Sequence, residues 1–351
     1  MRPVYEDIFV SVFVRNGLFS GLTVKCCNRI FMAKSKLIES VKEEIRRRNY
    51  SYRTEQAYVG WIIRFVKFSG TRHPAEVGED EITAFLNYLA VEREVAASTQ
   101  NQALCALVFL YDHILKIPMP LLKNLERAKK PARLPVVLTP GEVKNIFQRM
   151  KGLPLLVAKI LYGSGLRISE ALRLRILDVD FEYNQIAVRD GKGNKDRYTL
   201  LPEVIKSELL GQVEKVKQLH QKDIRRGYGA TLLPKALSRK YPDMEQSFAW
   251  RYLFPSRQIS TDPRTGMLHR YHISDSFIQR AVKRAVQRSG IVKKVSCHTF
   301  RHSFATHLLM EGYDIRTVQE LLGHKQLSTT MIYTHVINKG GKGVKSPIDL
   351  L

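Results

Sequence analysis

A basic, proline-punctuated break restricts the folds open to this chain more than any other feature. Arg127, Lys129, Lys130 and Arg133 alternate with Pro131 and Pro135, a stretch that can neither continue a helix nor build a core. Residues 126–138 therefore read as a linker, and the segments on either side must fold around separate cores. Before it, residues 32–125 carry helical periodicity. Ile38, Val41 and Ile45 share one face, and Ser51 can cap a second helix carrying Ala57, Trp61, Ile62, Phe65 and Phe68. Asp80 can open a third, with Ile82, Phe85, Leu86 and Leu89 inward, and Ser98 a fourth, in which Leu104, Leu107, Val108 and Tyr111 repeat at three and four. Four short helices make a small helical domain.

Residues 139–351 have a different texture. Thr139-Pro140-Gly141-Glu142 has the form of a helix N-terminus, with a capping hydroxyl, Pro in the first turn and Glu at the third position. A helix from Leu155 runs into Gly163-Ser164-Gly165 and resumes over Ile168 to Leu174. Two alternating runs, Gln185 to Arg189 and Arg197 to Leu201, read as strands. Gly191-Lys192-Gly193-Asn194 joins them as a hairpin tip, because Gly and Asn tolerate positive φ. An insertion-like stretch spans about 215–270, and helices dominate again to about Ile337. The predicted fold class is mainly α with a small antiparallel β-sheet, and the 351 residues suffice for two domains.

Charge narrows the partners. The chain carries 57 Lys and Arg against 33 Asp and Glu, a formal charge of +24. Such an excess repels itself, so a polyanionic partner is the first expectation. Hydrophobic residues at 44% and charged residues at 26% suit a globular protein rather than a disordered one. Four Cys, two of them adjacent at Cys26 and Cys27, give neither a disulfide framework nor paired zinc-ligand spacing, which makes a reducing cytoplasm the simplest compartment. The apolar run Ile8 to Val14 is far short of the ~20 residues a spanning helix needs. It also lacks the basic start and cleavage site of an export signal. Met32 directly precedes the first amphipathic pattern, so residues 1–31 read as an optional N-terminal extension.

The chemistry-bearing residues lie in the second half. In Cys297-His298-Thr299-Phe300-Arg301-His302-Ser303-Phe304-Ala305-Thr306-His307-Leu308, Phe300, Phe304 and Leu308 make a buried stripe, and His298 and Arg301 share a neighbouring face. Gly312 should end that helix and Asp314 cap the next, Ile315 to Leu322, which stops at Gly323 with His324 following. Ser328 then opens a last helix with Tyr333 about one turn in. Together with Gly165-Leu166-Arg167-Ile168-Ser169-Glu170 and Gly191-Lys192-Gly193, this order of motifs resembles the tyrosine recombinase family. The resemblance covers about 170 residues in the catalytic half. It extends back to about Lys34, where the helical module looks like the family's α-helical core-binding domain ahead of a mixed α+β catalytic domain.

The resemblance implies a nucleophile, Tyr333, that forms a 3′-phosphotyrosyl link and so retains the backbone bond for religation. Arg167 and Arg301 would stabilise charge on the phosphoryl oxygens, a task other phosphoryl-transfer enzymes give to Mg²⁺. Lys192 would protonate the departing 5′-oxygen, His298 would assist proton transfer and His324 would hydrogen-bond the phosphate. No metal or other cofactor is implied. Lys195 and Arg197 rival Lys192 and could contact phosphate instead. Glu170 either braces the arginines or simply favours a helix N-terminus. His302 and His307 read as structural, since no metal-ligand spacing accompanies them.

The insertion, with Tyr228, Tyr241, Phe248, Trp250, Tyr252, Tyr271 and many cations, resembles the one that separates integron integrases from other tyrosine recombinases. The terminal run from Gly343 to Leu350 also looks like theirs. That subfamily moves gene cassettes, using a folded single-stranded site with flipped bases alongside a double-stranded integration site. Trp250 is the first candidate to stack such a base, with Pro263 and His272 behind it. The alternative is that these side chains pack the insertion onto the core. Arg280, Lys283 and Arg284 lie on a helix with an apolar face of Ala281, Val282, Ala285 and Val286, which suits DNA contact or, alternatively, a solvated basic face. The tail over about 338–351 would dock on a neighbouring protomer, as in the family's homotetramers on paired sites. The rivals are a phage-type integrase or dimer resolvase acting on duplex sites, a type IB topoisomerase, and a non-catalytic DNA-binding protein.

Overall fold

Ser35 and Ser51 accept the backbone N–H groups of Ile38 and Thr54, opening α1 (Lys36–Arg47) and α2 (Tyr52–Phe68). These belong to a computed structural model that describes residues 35–118, 128, 135–189, 196–233, 235–334 and 348. Residues 1–31, most of the linker, the hairpin tip with Lys192 and Lys195, and all of the tail except Ile348 lie outside the described residues.

The chain divides into two compact units, Met1–Ala132 and Arg133–Leu351. In the first, α3 (Glu79–Asn87) and α4 (Ala97–Phe109) complete the set of four helices, each prolonged by a π-helical segment, Tyr88–Glu92 and Leu110–Leu115. Two starts differ from expectation. Gly78 rather than Asp80 caps α3, with Glu81 Oε2 accepting the Gly78 N–H at 3.0 Å. Ala96 occupies the cap of α4 without a side-chain bond, so Ser98 falls inside the first turn. Ile45, Ile62, Phe65, Ile82 and Leu107 are wholly buried at the centre of this unit.

In the second unit Thr139 and Glu142 form the expected capping box of α5 (Pro140–Gln148). The strongly apolar α6 (Gly152–Gly163) packs against α10 (Asp275–Ser289) and α11 (Cys297–Met310). Phe300 is fully buried on α11, and Ser303 Oγ accepts the Leu138 N–H at 3.0 Å, tying the chain ahead of α5 to that helix. After α7 (Ile168–Arg173) come β1 (Val179–Asp180), β2 (Gln185–Val188) and β3 (Arg197–Leu200) in an antiparallel sheet of that order. The two expected strands are there, and β1, too short to show alternation, adds a third. The remaining helices are α8 (Lys206–Arg225), α9 (Lys235–Lys240), α12 (Ile315–Leu322) and α13 (Ser328–Met331). The fold class is as predicted, mainly α with small antiparallel sheets. Among the described residues, no helix is long and apolar enough to cross a membrane.

Residues 226–274 return to the unit through α9, short 3₁₀ turns and a hairpin, β4 (Ser260–Thr261) with β5 (Leu268–His269). A buried ion pair holds this region: Arg270 Nε and Nη2 donate to the two Asp223 carboxylate oxygens, both at 2.6 Å. Arg270 Nη1 also donates to the Ser256 and Arg257 carbonyls at 2.8 and 2.7 Å. Nearby Arg251 is 5% exposed, and burial brings its guanidinium down to about 10 against the raising influence of Asp223. Asp223 is therefore the counter-charge for two buried cations. Asp223→Asn should cost about 3–5 kcal/mol of stability, read from the urea midpoint, because it leaves them uncompensated.

Candidate active site

The site is assembled on two glycine turns. Gly165, after α6, has φ +62°, and a Cβ there would stand 2.4 Å from the Phe304 ring. Gly323, after α12, has φ +64°, and its Cβ would stand 2.7 Å from Arg197 Cδ. Only glycine combines that backbone conformation with such close approach. The two turns present carbonyls to Arg301, which is fully buried on α11. Arg301 Nη1 donates to Gly165 O and Nη2 to Leu322 O, each at 2.6 Å. Nη2 also meets His324 Nε2 at 3.1 Å. The buried Nε has no acceptor among the described residues.

Glu170 on α7 is the hub of the cations. Its Oε2 accepts the Arg167 backbone N–H at 2.9 Å, and its Oε1 accepts Arg167 Nη1 at 2.6 Å. Arg197 Nη2 donates to Oε2 at 2.8 Å, and Arg301 Nη1 stands 3.7 Å from the same oxygen. Both sequence alternatives for Glu170 hold at once, since it caps α7 and braces the arginines. Burial alone would raise its carboxyl, but the hydrogen bond and charge of Arg197, joined by Arg167, hold it down to about 2. Burial, then Arg167, lowers Arg301 to about 10, which leaves it charged at neutral pH. One carboxylate facing three guanidiniums leaves the site net positive.

The histidines are neutral. Arg301 can only donate, so His324 Nε2 must be the acceptor, and the His324 proton sits on Nδ1, which donates to Thr330 Oγ1 at 2.9 Å. Burial, then Arg301, drives His324 down to about 3. His298 is lowered by burial and then by Arg301, and its ring lies edge-on to His302 at 4.5 Å.

Tyr333 departs from the expected placement. Among the described residues α13 spans Ser328–Met331, and Tyr333 lies in the turn between it and the helical residue Thr334. Its ring is 1% exposed and stacks on His324 at 6.3 Å and 16°. Its hydroxyl shares a 3.0 Å hydrogen bond with His302 Nδ1. Burial raises the phenol above its ordinary value, opposed by Arg301 and Arg167. The structure thus gathers Arg167, His298, Arg301, His324 and Tyr333. Sequence reasoning missed the parts of His302 and Thr330. His302 follows His298 by four residues and so shares its helix face, a signal that was available. His307 instead bonds the Tyr162 hydroxyl at 2.8 Å.

A cavity of about 640 Å³ opens from Arg167 and Glu170 to an aromatic wall of Trp250, Tyr252 and Tyr271. Arg175 lies over Trp250 at 5.2 Å and over Tyr252 at 4.8 Å, and Arg189 over Trp250 at 6.0 Å. Trp250 is half-buried, and its carbonyl accepts Arg175 Nη1 at 2.6 Å. His272 packs on Tyr271 at 4.2 Å beside the cavity, whereas Pro263 is exposed in the β4–β5 turn and does not line it. Arg280, Lys283 and Arg284 are exposed on α10, opposite its buried Ile278, Val282, Ala285 and Val286. Among the described residues, no cluster of three His, Cys, Asp or Glu side chains could hold a metal ion.

Permanent cations thus surround a buried tyrosine, an arrangement suited to holding a phosphate. Residues 137–339 match the Phage integrase family, and residues 37–121 match the Phage integrase, N-terminal SAM-like domain. An integrase/recombinase of Escherichia coli is 50% identical over 316 residues, 90% of this chain and 94% of that one. The tyrosine recombinase XerC of Anoxybacillus flavithermus is 28% identical over 305 residues, 82% of this chain and 89% of that one. A lambda integrase dimer bound to a COC′ core site shares the fold, with a TM-score of 0.58 and 17% identity over 89% of this chain and 98% of that one. The chain belongs to the phage integrase family of tyrosine recombinases, and it is a DNA strand transferase.

Glu170 makes the site's stability pH-dependent in one direction. Its folded carboxyl titrates near 2 against an ordinary 4.5. The stability gained is complete above pH 4.5 and is lost as pH falls toward 2. Wild type should exceed Glu170→Gln by about 3 kcal/mol at pH 6, and urea titrations should show that gap closing between pH 4.5 and 2.

Proposed function

We propose that this recombinase integrates and excises integron gene cassettes, cutting one strand at a time through a 3′-phosphotyrosyl bond to Tyr333. Its substrates in this reading are a folded single-stranded cassette site and a double-stranded integration site, held by a homotetramer. The observation that carries the chemistry is the gathering of Tyr333 with Arg167, His298, Arg301 and His324 around Glu170. Arg167 keeps an open side toward the cavity, and the Nε of Arg301, without an acceptor among the described residues, is a donor for a non-bridging phosphate oxygen. Neutral His324, oriented by Thr330 and Arg301, supports a hydrogen-bonding role at the phosphate. His298 assists proton transfer, and Lys192, on the β2–β3 connection, is the general acid for the 5′-oxygen. The residues themselves supply the charge stabilisation, with no metal ion or other cofactor in the scheme.

The cavity supports the cassette-site reading. It joins the candidate catalytic Arg167 to the Trp250 wall, an arrangement suited to a nucleotide whose base has left the stack and whose phosphate stays near the arginines. His272, packed on Tyr271, and Pro263, on the β4–β5 turn, are further base-contact candidates. Arg280, Lys283 and Arg284 suit the backbone.

Two measurements test these points. A nicked suicide substrate should trap a covalent adduct with wild type, mapped to Tyr333, and none with Tyr333→Phe; an intact protein that forms no adduct would instead be a binder. Trp250→Ala should weaken binding to a bulged hairpin by about 1–3 kcal/mol more than binding to a smooth duplex. Equal losses on both would point to a recombinase of duplex sites.

A further inference from the structure

The phenolic proton of Tyr333 has to go somewhere when the oxygen attacks phosphorus, and the surroundings leave few destinations. Burial keeps the hydroxyl protonated. Arg301 has no lone pair to offer. Both ring nitrogens of His324 are committed, Nε2 to Arg301 and Nδ1 to Thr330, and it turns its ring face to the tyrosine. His298 meets the His302 ring edge-on and has no hydrogen bond to Tyr333 among the described residues. His302 Nδ1, 3.0 Å from the Tyr333 oxygen, is the one acceptor there among the described residues.

We propose that His302 is the proton acceptor for Tyr333, a catalytic residue rather than a structural histidine. The inference rests on the reading of Tyr333 as nucleophile. As the bond from the phenolic oxygen to phosphorus forms, the phenolic proton passes to His302 Nδ1. The phosphorus–O5′ bond breaks, and the 5′-oxygen leaves with the electron pair and takes a proton from the general acid. Religation reverses this, and the imidazolium returns its proton to the departing phenolate. Burial, then His298 and Arg301, holds His302 down to about 4 before substrate arrives, so its ring is neutral, and in the tautomer with the proton on Nε2 its Nδ1 is the acceptor. The negative charge of the phosphate, entering beside Arg301, offsets the cationic repulsion that would otherwise oppose an imidazolium.

The test uses the full chain and a nicked suicide DNA under single-turnover conditions. His302→Asn places an amide oxygen near the former Nδ1, keeping the hydrogen bond but not the ability to take a proton. It should slow adduct formation about 100-fold, with DNA binding unchanged. Installing difluorotyrosine, a far more acidic phenol, at position 333 should restore His302→Asn to within about tenfold of wild type, since the proton is then lost without a strong acceptor. A wild-type rate in His302→Asn overturns the proposal, as does a deficit of the same size with the fluorinated phenol. Should the Asn variant not fold, triazolylalanine at 302 keeps the ring's shape with lower basicity. An unchanged cleavage rate there overturns the proposal, and a slower one supports it. An adduct that maps away from residue 333, or survives Tyr333→Phe, defeats the Tyr333 reading instead, so the two failures are distinguishable.

Discussion

A single buried carboxylate facing three guanidiniums organises this catalytic unit. Arg167 precedes α7, Arg197 comes from β3 and Arg301 from α11, and Glu170 contacts all three. Like charges brought this close and this deep would repel one another at considerable cost. One carboxylate lowers that cost without cancelling it. The uncompensated positive charge is what an entering phosphate can neutralise, and it is in place before the substrate arrives.

The same charge sets the protonation of the neighbours. Burial combined with adjacent arginines keeps His298, His302 and His324 neutral. Neutral imidazoles act as oriented donors and acceptors, and orientation becomes the useful quantity: Thr330 and Arg301 fix His324, and His302 meets the tyrosine hydroxyl. The two glycine turns serve this order, because they bring the Gly165 and Leu322 carbonyls onto the Arg301 guanidinium. A side chain at either glycine would push apart elements that the arginine needs together.

The region after α8 places aromatic surface beside that charge. Asp223 and Arg270 anchor it from within, and Arg175 and Arg189 bridge from the sheet side onto the Trp250 ring. The cavity is lined by both cations and aromatic rings, which are the two kinds of surface an unstacked nucleotide offers contacts to.

The motifs around Arg167, His298, Arg301, His324 and Tyr333 were legible because each sits beside a local signal: a glycine turn, a helix-face spacing, a cap. Helix starts at Ser51, Thr139 and Asp314 were legible for the same reason, since a capping hydrogen bond spans only two or three residues. The Tyr333–His302 bond and the Arg197–Glu170 pair were not. They join residues 31 and 27 positions apart, and spacing along a chain carries no information about which distant faces meet. Amino-acid order alone thus determined the helices, the separate cores and the chemical inventory, since these depend on periodicity and composition. Only the tertiary structure decided which nitrogen faces the phenol and which carboxylate serves which arginine, because burial and charge at each group depend on everything packed around it.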